Sequence, residues 1–300
     1  MAELIGDVIN VYEKDVDGEP LFDVLINDWS IFNRTLPGVQ NLVESFCNII
    51  LGECECGHNV NVKIPYNDIM NYGIFSGHSW GEFSEMIKTT NRFYHGYFKA
   101  DQFFSFLSYS ITKYTEGKTF FRARVWDDGH RYNADEMGAP PFEKRKSGRV
   151  NPEGIGVLYL TSDEKTALSE VRASAFDFVS VGMFRLKKDI EVINISALNK
   201  ISPALYEGGL ESLAANIKIF SDIAREIAKP LRKNDSILEY LPTQYITEVI
   251  KSKKYEGVEF TSTMGTCGNN IAVFDESWFE CISVHDVEIK KIEYEYENIN

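Results

Sequence analysis

Apolar residues crowd the stretch from Leu21 to Leu51 (Leu21, Val24, Leu25, Trp29, Phe32, then Leu42, Val43, Phe46, Ile49, Ile50). Pro37-Gly38 divides that run into two predicted helices. Helical spacing returns around Trp80 to Lys88 and again around Asp101 to Lys113. From Phe120 the period shortens. Phe121-Arg122-Ala123-Arg124-Val125 alternates, which predicts a strand with Arg122 and Arg124 on one face. Val157 to Leu160 is a short apolar run of strand length, and a helix follows it, capped by Thr161 with Glu164 or by Asp163. Phe178 to Phe184 and Ile190 to Ile195 alternate as strands. A helix is expected after Ser202 with Pro203 at its first position; Leu210, Leu213, Ile217, Phe220, Ala224 and Ile227 mark its core stripe. Thr243 to Lys254 reads as another helix, with strands at Val258 to Phe260 and Ile271 to Phe274. Strands mixed with helices, without regular βαβ alternation, give an α+β fold class.

The change of period sets the expected organisation. Thr115-Glu116-Gly117-Lys118 is a polar linker, so residues 1–115 are expected as a helical domain and 116–285 as a mixed domain, with an acidic tail at 286–300. Three hundred residues suffice for a sizeable core. Seven charged residues among the first twenty argue against a signal peptide, and no apolar run approaches the ~20 residues of a membrane span. Five cysteines (47, 54, 56, 267, 281) do not form a disulfide framework, so a reduced, cytoplasmic protein is expected.

Charge narrows the partners. The formal net charge is −14, from 31 basic and 45 acidic residues, which disfavours broad nucleic-acid binding. Lys144-Arg145-Lys146 with Arg149 is a local basic patch, either a solvated loop or an attractor of small anions. Cys54, Cys56 and His58, with Cys47 upstream, lack the paired knuckles of a zinc site and read as reduced thiols; whether they bind metal stays open. Arg92 and His95 stand too close for the Arg/His spacing of a helical ribonuclease site. Asp127 to Arg145, a long polar loop, is read as a lid over a cleft.

The densest chemistry lies between Gly148 and Arg172, in a loop, strand and helix within twenty-five residues. Arg149 is in the loop, Tyr159 on the strand and Glu170 on the helix between Leu168 and Val171. A carboxylate there is costly unless it is paired or faces a polar cleft. One reading is a structural Arg149–Glu170 ion pair with Tyr159 as a satisfied core tyrosine; the other is a site. Arg122 and Arg124, side by side, repel and call for a shared anion, a carboxylate pair or water; a pyrophosphate suits the planar guanidinium, and an exposed edge strand with solvated arginines is the other reading.

These residues resemble the RES domain, a family of NAD-degrading toxins. The resemblance is carried by Phe121-Arg122, Gly148-Arg149-Val150-Asn151, Tyr159 with Glu170 eleven residues later, Leu241-Pro242-Thr243-Gln244-Tyr245, Gly257 to Ser262, and Asn270 to Phe274. It spans about residues 118–276. The resemblance implies an ADP-ribosyltransferase-like mixed β core and cleavage of the nicotinamide–ribose bond of NAD+. NAD+ is then substrate rather than cofactor, and phosphate is a possible co-substrate. It implies that Glu170 stabilises an oxocarbenium-like ribose and that Arg122 and Arg149, with Arg124 supporting, hold phosphates. Tyr159 positions the nicotinamide ribose, Ser262 and Asn270 bind substrate, and Asn151 shapes the loop. Water, phosphate or a protein side chain as acceptor are not separated by residue types; a protein ADP-ribosyltransferase and an inactive binding module are the alternatives. The family also implies restraint by an antitoxin or immunity protein, and residues 1–115 resemble the HEPN-like domain that accompanies some members, which could restrain the site or sense a trigger such as phage infection. A homo-oligomer is left open.

Overall fold

An eight-stranded mixed sheet organises the second half of the chain in the computed structural model, which describes residues 72–93, 96, 98–202, 205–208, 210–229, 236–264 and 268–292. The helices expected between Leu21 and Leu51, the Cys47/Cys54/Cys56/His58 group, His95 and the end of the acidic tail lie outside the described residues. Contacts divide the chain into two compact units: one takes in the residues up to Ser110 together with Ile195–Arg225, the other Ile111–Asn194 together with Glu226–Asn300.

In the first unit, α1 (Trp80–Thr89) starts at a complete capping box, with Ser79 and Glu82 each bonding the other's backbone. Helix α2 (Ala100–Leu107) is shorter than its apolar run suggests. The expected continuation to Lys113 is instead a turn over Ser108–Ser110 followed by β1 (Ile111–Tyr114), in the second unit. Ile-Thr-Lys-Tyr suits an extended chain, and pairing with a strand outweighs the weak helix preference of those side chains. The unit is filled by aromatic rings: Phe75 stacks on Phe83 at 4.1 Å and Phe106 on Tyr206 at 4.7 Å.

Helix α4 (Leu210–Ala228) begins well after Pro203. Before it, Tyr206 is buried, and Glu207 N–H donates to the Tyr109 hydroxyl, so residues 205–208 pack as a loop; the proline itself lies outside the described residues. The expected stripe is buried at Leu213, Ile217, Phe220 and Ile227.

The second unit holds β1 with β2 (Thr119–Val125), β3 (Leu158–Thr161), β4 (Phe178–Leu186), β5 (Ile190–Asn194), β6 (Gly257–Thr261), β7 (Asn269–Val273) and β8 (Phe279–Glu288). Their order is β1-β5-β6-β7-β3-β2-β4-β8, antiparallel except for β5–β6. Helix α3 (Glu164–Glu170) follows β3 and α5 (Leu241–Ser252) precedes β6. The mixed sheet with its helices is an α+β arrangement. Asp163 alone caps α3, through the Thr166 N–H; Thr161 turns instead to the carbonyls of Phe121 and Asp163, so no capping box forms there.

Residues 127–145 are not a lid. Met137, in the middle of the loop, is fully buried in the cluster of Phe120, Leu158, Leu160, Phe184 and Phe279. Trp126 Nε1 donates to Ser180 Oγ, Ser180 donates to Asp286, and Arg131 pairs with the same carboxylate. The loop is a plug tied down on the sheet. Met137→Ala is expected to cost about 2–5 kcal/mol by leaving a cavity, read as a shift in urea midpoint. Among the described residues, no helix is long and apolar enough to cross a membrane.

Candidate active site

The sheet is weakly joined at one place. Strands β2 and β3 pair only at Phe121 and Thr161, whereas β2 pairs with β4 over seven residues and β3 with β7 over four. Beyond Phe121 the backbone groups of β3 that would meet β2 need other partners. Arg122 supplies one: its Nη1 donates to the Tyr159 carbonyl at 2.9 Å. Among the described residues its Nε is buried with no partner. Burial, and then the neighbouring Arg124, lower the guanidinium pKa to about 10, which leaves it cationic at pH 7.

At this seam opens a cavity of about 550 Å³, within the range of small-molecule sites. Its wall brings together Arg122, Arg149, Asn151, Tyr159, Glu170 and Asn270. Arg124 does not reach it; although it shares a strand face with Arg122, its Nη2 donates to the Gly138 carbonyl and its guanidinium lies over the Tyr132 ring at 5.3 Å. Ser262 is buried behind the wall. It donates to Glu170 Oε1 at 2.7 Å, and Asn270 Nδ2 donates to the same oxygen at 2.8 Å. Two neutral donors therefore fix the carboxylate, and neither bond falls on Oε2. Arg149, for its part, donates from Nε to the Lys229 carbonyl and stands over the Tyr240 ring at 5.2 Å.

Tyr159 is held through its hydroxyl, which donates to Asn151 Oδ1 at 2.8 Å. Burial raises its pKa well above the ordinary tyrosine value, so it enters any reaction as a neutral phenol. Asn151 Nδ2 reaches the carbonyls of Lys146, Pro152 and Ile155 and so braces the loop. Gly148 has no room for a side chain: a Cβ there would stand 2.8 Å from Asn151 Oδ1 and 3.0 Å from the Tyr159 hydroxyl.

Two residues that hold this arrangement carry no obvious chemical signal in the sequence. Thr243 and Gln244, on the first turn of α5, are buried. Thr243 donates to the Arg149 carbonyl at 2.7 Å; Gln244 Nε2 lies within bonding distance of the Gly148 carbonyl (2.7 Å), Ser147 Oγ (2.8 Å) and the Asn151 carbonyl (3.0 Å). The sequence marks them only as members of the Leu241–Tyr245 segment, without a role. Gln244→Leu removes the donor to the Gly148 carbonyl and Ser147 Oγ, while the Asn151 carbonyl keeps the Gly148 N–H, so a loss of about 1–3 kcal/mol is expected in urea unfolding.

Among the described residues, no group of three or more His, Cys, Asp or Glu side chains is placed to hold a metal ion. The model of the RES domain family matches residues 119–296. A comparison with curated proteins finds no match. A solved structure, the M. tuberculosis MbcT–MbcA toxin–antitoxin complex, aligns with a TM-score of 0.38 and 12% identity over 63% of this chain and 92% of that chain.

Proposed function

This chain belongs to the RES domain family, and from that membership together with the geometry of the cavity we propose that it cleaves the nicotinamide–ribose bond of NAD+. The observation that carries the reading is Glu170, a carboxylate fixed by Ser262 and Asn270 on the wall of a cavity otherwise rich in cations. When the C–N bond breaks, nicotinamide leaves with the bonding pair and becomes neutral, and positive charge develops on the ribose ring. A fixed anion beside it lowers that transition state without having to reorganise. Arg122 and Arg149 hold the pyrophosphate, and Tyr159, neutral and braced by Asn151, sets the ribose against Glu170. The acceptor oxygen, from water or inorganic phosphate, bonds to C1′ and its proton passes to solvent. In the cell such an enzyme depletes NAD and acts as a toxin restrained by an antitoxin protein, as the family resemblance implies.

The test is release of nicotinamide from NAD+ by the purified full chain, with and without phosphate. Release that needs phosphate marks a phosphorylase, and release without it a glycohydrolase. Label from NAD+ found on protein instead of a free sugar product would favour an ADP-ribosyltransferase. No release by the folded chain, alone or with phosphate, counts against the proposal.

A further inference from the structure

Helix α3 ends in a way that usually calls for glycine. Val171, its C-cap, has helical dihedrals (φ −78°, ψ −9°), and the next residue, Arg172, has φ +50°. The position after a helix C-cap is often left-handed, and glycine dominates it because a β-carbon crowds the following carbonyl. Here the chain carries the longest basic side chain at a backbone position where none is easiest. Backbone conformations of this kind on bulky residues gather at ligand sites, where the surrounding structure sustains their cost.

Arg172 is such a case by location. It lines the cavity two residues beyond Glu170, and it is exposed where Arg149 is buried, which puts it toward the solvent side of the same wall. The wall carries Arg122, Lys146, Arg149, Arg172 and Lys229, the last paired with Glu226, against Glu170 and the neutral Tyr159, within a chain of net charge −14. The cavity is thus a basic enclave on an acidic protein, with more cationic side chains than carboxylates along its wall. Anions are its complement.

We infer that Arg172 is a substrate-binding residue whose guanidinium takes a phosphate of the dinucleotide at the cavity mouth, its left-handed backbone being the means by which the helix end aims it there. The inference rests on the proposed NAD+ chemistry for the identity of its ligand. It does not rest on that chemistry for the presence of an anion site.

Glycine at this position separates the two roles a residue can have, because it suits the backbone and deletes only the side chain. In the full chain, Arg172→Gly is expected to melt within a few degrees of the parent. Its KM for NAD+ should rise about tenfold, the loss of one charge-assisted hydrogen bond, with kcat changed by less than about twofold. The dissociation constant of ADP-ribose, measured by calorimetry, should rise by a similar factor, and Arg172→Lys should recover part of it. An unchanged KM and unchanged ADP-ribose binding in Arg172→Gly overturn the inference while leaving the cleavage reading intact. A lower melting point with kcat and KM impaired together also overturns it, since that is the signature of a structural role. If the parent releases no nicotinamide, the cleavage reading fails, and ADP-ribose still decides: weakening in Arg172→Gly sustains the anion site, and equal or absent binding in both proteins overturns it.

Discussion

Glu170→Gln should slow nicotinamide release about a thousandfold in kcat while the thermal midpoint stays within a few degrees of the parent. The side chain keeps its size, and its amide oxygen can still accept from Ser262 Oγ and Asn270 Nδ2. What is lost is the negative charge next to the ribose as it turns cationic. The two partners make this substitution more informative than alanine, which would leave two buried donors unpaired and mix a stability loss with the chemical one. Stopped assays for nicotinamide and a melting curve on the same sample are enough. A reduction smaller than about tenfold would mean that Glu170 is not the group that stabilises the transition state, and the proposed mechanism would go with it.

Arg122→Met should have the second largest effect, about a hundredfold in kcat/KM for NAD+, because it takes away the cation nearest the seam. Its effect on folding should be small, since two contributions oppose each other. Methionine leaves the Tyr159 carbonyl without the 2.9 Å bond from Nη1, a loss of about 1–3 kcal/mol. It also removes a guanidinium whose pKa has been lowered by burial and by Arg124, a destabilisation of similar order. Below about pH 9 the arginine is protonated in the folded and unfolded chain alike, so it adds no slope to stability between pH 6 and 8. An urea titration that showed Arg122→Met severely destabilised, with kcat/KM nearly intact, would assign Arg122 to the sheet alone.

Much of this was legible before any coordinates. Alternation placed β2, β4 and β5, and the apolar stripe placed most of α4, because burial of one face imposes a period on the sequence. Loop, strand and helix around Arg149, Tyr159 and Glu170 could be read as one unit, and the fold brings all three to one cavity wall. The readings that failed depended on where a chain is tied. Residues 127–145 look like a free polar loop until Met137 is seen in the core, a single apolar residue that no periodicity distinguishes. Strand alternation correctly put Arg122 and Arg124 on one face, yet it could not tell that the Gly138 carbonyl, fourteen residues on, claims Arg124. Gln244 was visible only as part of a motif. Its bonds to Ser147, Gly148 and Asn151 span more than ninety residues, a distance over which spacing carries no information.

The single bridge between β2 and β3 bears on how the protein breathes. Most of this sheet is held by continuous ladders, and opening such a ladder means breaking several bonds together. At the seam one backbone pairing, the Thr161 hydroxyl on the Phe121 carbonyl and one guanidinium link the strands, so they can part there at less cost than a full ladder and without loss of the two flanking halves. Amide protons beside Tyr159 should therefore exchange with deuterium faster than those in the middle of β4. An anion that claims the Arg122 guanidinium would compete with the Tyr159 carbonyl for it, so occupancy of the cavity and closure of the seam are thermodynamically linked. Filling the site is thereby also a way of setting how firmly the two leaves of the sheet are stitched.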